Sequence, residues 1–106
     1  MKILAVTACP TGIAYTYMAA EAVRTSCKKA GIECKVETQG FIGRDNVITE
    51  EDVESADAVI LTTDMPIEGV SRFDNLPKKG VTINELVKQS DTIVAGIAAA
   101  VNVKKN

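Results

Sequence analysis

The chain has 106 residues, 46% hydrophobic and 25% charged, the length and composition of one compact soluble domain spanning residues 1–106. It contains no His, which excludes Ser–His–Asp or Cys–His catalysis, a His-ligated metal and a phosphohistidine of its own. A net charge of −2 argues against a nucleic-acid partner, because phosphate neutralisation needs clustered Lys and Arg.

Lys2 to Thr7 is a continuous apolar run that ends at a Pro/Gly cluster, as expected of a central parallel strand buried on both faces. Ile13 to Ala30 then turns helical. Ile13, Tyr17, Ala20, Val23, Cys27 and Ala30 form one stripe, Lys28 and Lys29 suit the carboxyl end of the dipole, and Gly31 supplies the stop. Ile32, Cys34, Val36 and Thr38 alternate with Glu33, Lys35 and Glu37, which predicts a half-buried strand at a sheet edge with the charges facing out. Gln39 to Val47 reads as a loop, and Thr49-Glu50-Glu51-Asp52 as a capping box opening a short helix to about Ser55.

Ala58 to Thr63 is a second fully buried strand, Asp64 to Pro77 is irregular, and a short strand is expected near Lys79 to Val81. Thr82 and Glu85 form another capping box. A C-terminal helix follows on Ile83, Leu86, Val87, Val94, Ile97, Ala98 and Val101, with a break near Ser90-Asp91. Strands separated by helices call for right-handed parallel crossovers. The expected fold is therefore α/β: a three-layer, doubly wound sandwich around a central, mainly parallel four-stranded sheet, Rossmann-like in its winding. Ligands of such sheets bind outside the carboxyl ends of the strands, where the strand order reverses.

The first strand ends in Cys9-Pro10-Thr11-Gly12-Ile13-Ala14-Tyr15-Thr16. Free N–H groups at the start of the following helix make an anion cradle, and the same dipole end favours a thiolate on Cys9. A nucleophilic sulfur beside a phosphate cradle suggests phosphoryl chemistry through a phosphocysteine; the bland alternative is a small residue filling a tight turn. Cys27 and Cys34 read as structural thiols on buried faces. The odd number of Cys, with no C-x-x-C pair, suits a reducing cytosol. No signal peptide is evident, and the longest apolar stretch, Thr92 to Val101, is too short to span a bilayer, so no direct membrane insertion is expected.

A cysteine phosphatase loop, Cys-x5-Arg-Ser/Thr, would place Arg at residue 15 and Ser or Thr at 16. Thr16 fits, but residue 15 is Tyr, and no Asp-Pro dipeptide supplies a general acid. Tyr cannot grip a phosphoryl group bidentately, so the loop looks built to hold a phosphate, not to hydrolyse it. A phosphatase-like or arsenate-reductase-like enzyme is the alternative. A flavin or nucleotide module is a third, weakened by a total of two Tyr and two Phe.

The sequence resembles the fructose-specific enzyme IIB component of the bacterial sugar phosphotransferase system, nearly end to end. The resemblance rests on Val6-Thr7-Ala8-Cys9-Pro10-Thr11-Gly12-Ile13-Ala14 and Thr16-Tyr17-Met18-Ala19-Ala20-Glu21-Ala22. It continues through Val36-Glu37-Thr38-Gln39-Gly40, Gly43, Ala56-Asp57-Ala58-Val59-Ile60, Asp64 and Arg72-Phe73. It implies that Cys9 takes a phosphoryl group from a phosphohistidine on the IIA component and passes it to a sugar, fructose by default, bound to the membrane-embedded IIC component. It also implies a cytoplasmic carrier that meets the membrane through IIC and needs no metal or organic cofactor. Family members usually carry His where this chain has Tyr15, so Tyr15 is a candidate loop contact that lacks the His charge. Gln39 and Asp64, each at a strand end, are candidate accessory residues; each could equally serve an ordinary turn or backbone cap. Arg72 suits partner docking or a surface ion pair with Asp74.

Overall fold

The computed structural model describes residues 1–9, 13–40 and 43–105. In chain order these form β1 (Lys2–Ala8), α1 (Ile13–Lys29), β2 (Glu33–Gly40), β3 (Gly43–Asp45), α2 (Glu50–Ser55), β4 (Ala58–Thr62), β5 (Lys78–Val81) and α3 (Ile83–Lys105). A 3-10 turn over Val70–Phe73 lies between β4 and β5. The sheet runs β3-β2-β1-β4-β5, parallel except for β3. The strand order reverses at β1, as the doubly wound reading requires.

Alternate residues of β1 feed two cores. Ile3 and Ala5 pack with Ala20, Val23 and Cys27 of α1 and with Leu86 and Val94 of α3. Leu4 and Val6 pack on the other face with Val59, Ile48 and Phe73, flanked by Val53 of α2. Helical layers on both faces explain why β1 and β4 read as unbroken apolar runs.

Local chemistry sets the element ends. Gly31, at φ +70, closes α1: its N–H reaches Lys28 O at 3.2 Å, while Ile32 N–H reaches Cys27 O at 2.8 Å, the Schellman pattern. Thr49 and Asp52 exchange reciprocal capping bonds at the start of α2. At the start of α3, Glu85 accepts from Thr82 N–H at 3.0 Å and Thr82 Oγ1 from Glu85 N–H at 3.1 Å.

The structure corrects four expectations. The sheet has five strands, not four, because residues 43–45 pair antiparallel with the end of β2, Gly40 opposite Gly43. Consequently β2 lies between β1 and β3 and is not an edge. Glu37 is fully buried, since the face it points to is covered by Ile48, Phe73 and their neighbours. The buried side of α1 runs through Thr16, Ala19, Ala20, Val23, Ser26 and Cys27, leaving Tyr17 and Ala30 exposed. The expected interruption of α3 near Ser90-Asp91 is present at the adjoining Gln89 (φ −128, ψ 27), and Ser90 and Asp91 turn their side chains onto Ser26 of α1.

Gly69, at φ +71, enters the 3-10 turn, and its carbonyl accepts from Arg72 Nε at 2.7 Å. A Cβ at this position would sit 2.8 Å from the same nitrogen. Gly69→Ala is expected to cost about 1–3 kcal/mol, read as a lower urea midpoint at unchanged slope. An unaltered midpoint would contradict this packing.

Candidate functional site

The site is built from the carboxyl end of β1. Ile3, Leu4, Ala5 and Val6 are wholly inaccessible, so the strand is anchored from both sides and carries Cys9 to the sheet's end as a half-buried free thiol. Cys9 packs against the core shared by α1 and α3, at the carboxyl end of the strands where ligands of such sheets bind. Two threonines hold the approach. Beyond the last paired residues, Val6 and Leu61, Thr62 Oγ1 accepts from Ala8 N–H at 2.9 Å and replaces the missing ladder partner. Thr7 Oγ1 donates to Thr16 O at 3.1 Å, tying β1 to the first turn of α1. The segment holding Cys9 is thereby fixed on both flanks.

Of the sequence-derived loop residues, Pro10, Thr11 and Gly12 lie outside the described residues, as does the side chain of Ile13. The helix does begin at Ile13. Ala14 and Tyr15 are exposed, Tyr15 at 54%, whereas Thr16 is buried at 1%. Met18 and Tyr17 are also exposed, so the first turns of α1 present uncharged side chains to solvent. Tyr17 Oη donates to Asp45 Oδ2 at 3.2 Å and links this surface to β3.

Gln39 lies in register with Ala8, as its position at a strand end suggested, but its amide serves the scaffold. Its Oε1 accepts from Glu68 N–H at 2.9 Å, while Nε2 donates to Glu68 O at 3.0 Å and to Glu37 Oε2 at 2.6 Å. Asp64 accepts from Ile83 N–H at 2.8 Å, so it joins the end of β4 to the start of α3. Both side chains work as braces around the site.

Sequence reasoning missed the buried cluster centred on Glu37. Its Oε1 accepts from Ile48 N–H at 2.8 Å and from Arg72 Nη1 at 2.8 Å; its Oε2 accepts from Arg72 Nη2 and Arg44 Nη2, each at 3.1 Å. Arg72 also donates through Nε to Gly69 O, through Nη1 to Ile48 O at 2.9 Å and through Nη2 to Glu68 O at 3.0 Å. All five guanidinium N–H groups are therefore engaged, which leaves none for the expected pair with Asp74. The same guanidinium lies 4.8 Å over the Phe73 ring. Burial pushes the Glu37 pKa up, but hydrogen bonds from Arg72, Gln39 and Ile48 N–H, with the Arg72 charge, outweigh it and bring the group to about 2. In the sequence Glu37 shares its face with Glu33 and Lys35, so nothing local set it apart from a solvent-facing charge.

A groove of about 520 Å³ is lined by β5, by Ala58 and Val59 of β4 and by residues of α3, with none of the residues that brace Cys9 among its walls. It takes no part in this site. Among the described residues, no three Cys, Asp or Glu side chains gather as metal ligands would.

The family model described as "PTS system, Lactose/Cellobiose specific IIB subunit" matches residues 4–95. The Escherichia coli (strain K12) "PTS system fructose-like EIIB component 2" is 53% identical over 98 residues, covering 92% of each chain. The Bacillus subtilis (strain 168) "PTS system fructose-specific EIIABC component" is 51% identical over 72 residues, 68% of this chain and 11% of that protein. Among solved structures, the Enzyme IIB subunit of the PTS system from Escherichia coli K12 superposes with a TM-score of 0.92 at 31% identity, covering 99% of this chain and 97% of that one. A domain of the Borrelia burgdorferi fructose-specific IIABC component gives 0.86 at 40% identity and 91% coverage of both.

Folding favours the charged form of Glu37, so its contribution is whole above the ordinary value of 4.5 and is lost as pH falls to about 2. The shift corresponds to about 3 kcal/mol, and stability measured by urea unfolding should fall most steeply across that window. Glu37→Gln, which leaves two arginines without their counter-charge, should cost about 3–5 kcal/mol at neutral pH and flatten the acid limb. An acid limb equally steep in the variant would contradict the assignment.

Proposed function

Since this chain belongs to the IIB family of the sugar phosphotransferase system, on its fructose-type branch, we propose that Cys9 is the residue through which the phosphoryl group passes. In this reading the Cys9 sulfur attacks the phosphorus of a phosphohistidine on the IIA component. A sulfur–phosphorus bond forms, the nitrogen–phosphorus bond breaks, and the imidazole leaves. The sugar hydroxyl at IIC then attacks the same phosphorus and gives its proton to solvent as the Cys9 thiolate leaves with its electron pair.

The observation that carries the reading is the placement of Cys9: at the carboxyl end of the central strand, beside the reversal of strand order, just before the amino end of α1. N–H groups there suit an anion, and residues 10–16 are the segment assigned to hold the phosphoryl oxygens. Thr7 and Thr62 brace the strand end, so the nucleophile meets each partner in one geometry. The uncharged surface of Tyr15, Tyr17 and Met18 suits successive docking of two partners. Tyr15 at the position where a phosphatase carries Arg favours retention of the phosphate over hydrolysis.

Among the described residues no helix is long and apolar enough to cross a membrane. The carrier is assigned to the cytoplasmic side, reaching the membrane through IIC. Relatives named EIIB'BC and EIIABC, of which this chain covers 17% and 11%, support partners of the A and C kinds. Fructose is the sugar proposed, with the choice made where IIC binds it. No cofactor is assigned to the step.

Incubation with phosphoenolpyruvate, the general phosphotransferase proteins and the matching IIA should add one labile phosphate, visible by mass spectrometry. Cys9→Ser should abolish it, whereas Cys27→Ser and Cys34→Ser should retain it; labelling that survives the loss of Cys9 would refute the reading. Tyr15→His should introduce a pH dependence of transfer near the imidazole pKa of about 6.5. An identical pH profile in the variant would show that residue 15 does not meet the phosphoryl group.

A further inference from the structure

We propose that Cys27 and Cys34 form a second thiol site, which a hydroperoxide converts into an intramolecular disulfide by reaction at Cys34. The pairing follows from the backbone. The cap at Gly31 folds the chain back so that Ile32 N–H bonds Cys27 O, and β2 starts at the next residue. Cys34 then lies in register with Ile3, whose side chain packs in the same core as Cys27, and Cys34 packs against that core as well. Both thiols thus lie in one core at the junction of α1 and β2, where their side chains interact.

The two thiols are unequal. Cys27 is fully buried, whereas Cys34 is half-buried and open to a small oxidant. The hydrogen bond from Cys27 stabilises a thiolate on Cys34; burial opposes this, Arg24 of α1 assists and Glu33 opposes, with the Cys34 pKa brought down to about 7. The same contact, burial and the Cys34 charge push Cys27 up. Cys34 is therefore the attacking sulfur and Cys27 the resolving one.

In the first step the Cys34 thiolate attacks the peroxide oxygen. A sulfur–oxygen bond forms, the oxygen–oxygen bond breaks, and hydroxide leaves to take up a proton from solvent. Cys34 is now a neutral sulfenic acid, which removes the charge that held the Cys27 proton in place. The Cys27 sulfur then attacks Cys34, the sulfur–oxygen bond breaks, and the departing hydroxide takes the Cys27 proton as water. Two thiols lose two electrons and the peroxide becomes two waters.

This site is independent of phosphoryl transfer, so it is tested in the full chain carrying Cys9→Ser. After stoichiometric hydrogen peroxide at about pH 7.5, maleimide quenching and proteolysis, the peptides holding Cys27 and Cys34 should appear joined and separate on reduction. Cys27→Ser should stop at a Cys34 sulfenic acid trapped by dimedone. The initial rate should fall about tenfold between about pH 8 and pH 6, against about eightyfold for a thiol at the ordinary value near 8.5. Recovery of both residues as maleimide adducts, or of a Cys34 sulfenic acid beside a free Cys27 in the intact pair, would overturn the proposal.

Discussion

The organisation of this domain depends on one buried carboxylate. Glu37 is inaccessible, yet it is held ionised by bonds from Arg72, Arg44, Gln39 and the Ile48 N–H. These partners come from β3, the approach to α2, the 3-10 turn and β2 itself, so one charge gathers the segments that fold over one face of the sheet. An unpaired charge there would cost several kcal/mol, and a fully bonded one permits few alternative arrangements of those segments. The guanidinium of Arg72 has no donor to spare, which makes the arrangement saturated on both sides of the pair.

That brace has a functional consequence. Gln39 joins the Glu37 cluster to the backbone of Glu68, and Gln39 is in register with Ala8, the residue before Cys9. The walls around the strand end are therefore set by buried polar bonds, and Cys9 is left half-buried, while Tyr15, Tyr17 and Met18 present uncharged side chains to solvent. A phosphoryl carrier benefits from this division. The scaffold supplies position, and the neighbourhood lacks the Arg at residue 15 that would promote attack by water.

The residues that declared themselves in sequence were those whose physics is local. Unbroken apolar runs marked β1 and β4, the Thr49–Asp52 and Thr82–Glu85 boxes marked two helix starts, Gly31 marked a helix end, and Cys9 stood where a buried strand meets a helix. What escaped was set by distant partners. The three residues Gly43, Arg44 and Asp45 carry no apolar alternation, and they become a strand only because the end of β2 offers an open ladder. Glu37 alternates like a surface residue; its counter-ion stands 35 positions away, beyond any periodicity. Gln39 and Asp64 were placed correctly at strand ends, but which groups their side chains meet depends on Glu68 and Ile83, elements apart in the chain.

The central claim, that this scaffold holds Cys9 as a phosphoryl acceptor, is tested most directly by phosphorus NMR of the chain phosphorylated through its IIA partner. A single thiophosphate ester is expected, with amide shifts in proton–nitrogen spectra centred on Thr7, Ala8, Thr16 and Thr62, the residues that brace the strand end. A phosphate bonded to oxygen or nitrogen, or one whose amide shifts centre elsewhere, would contradict it.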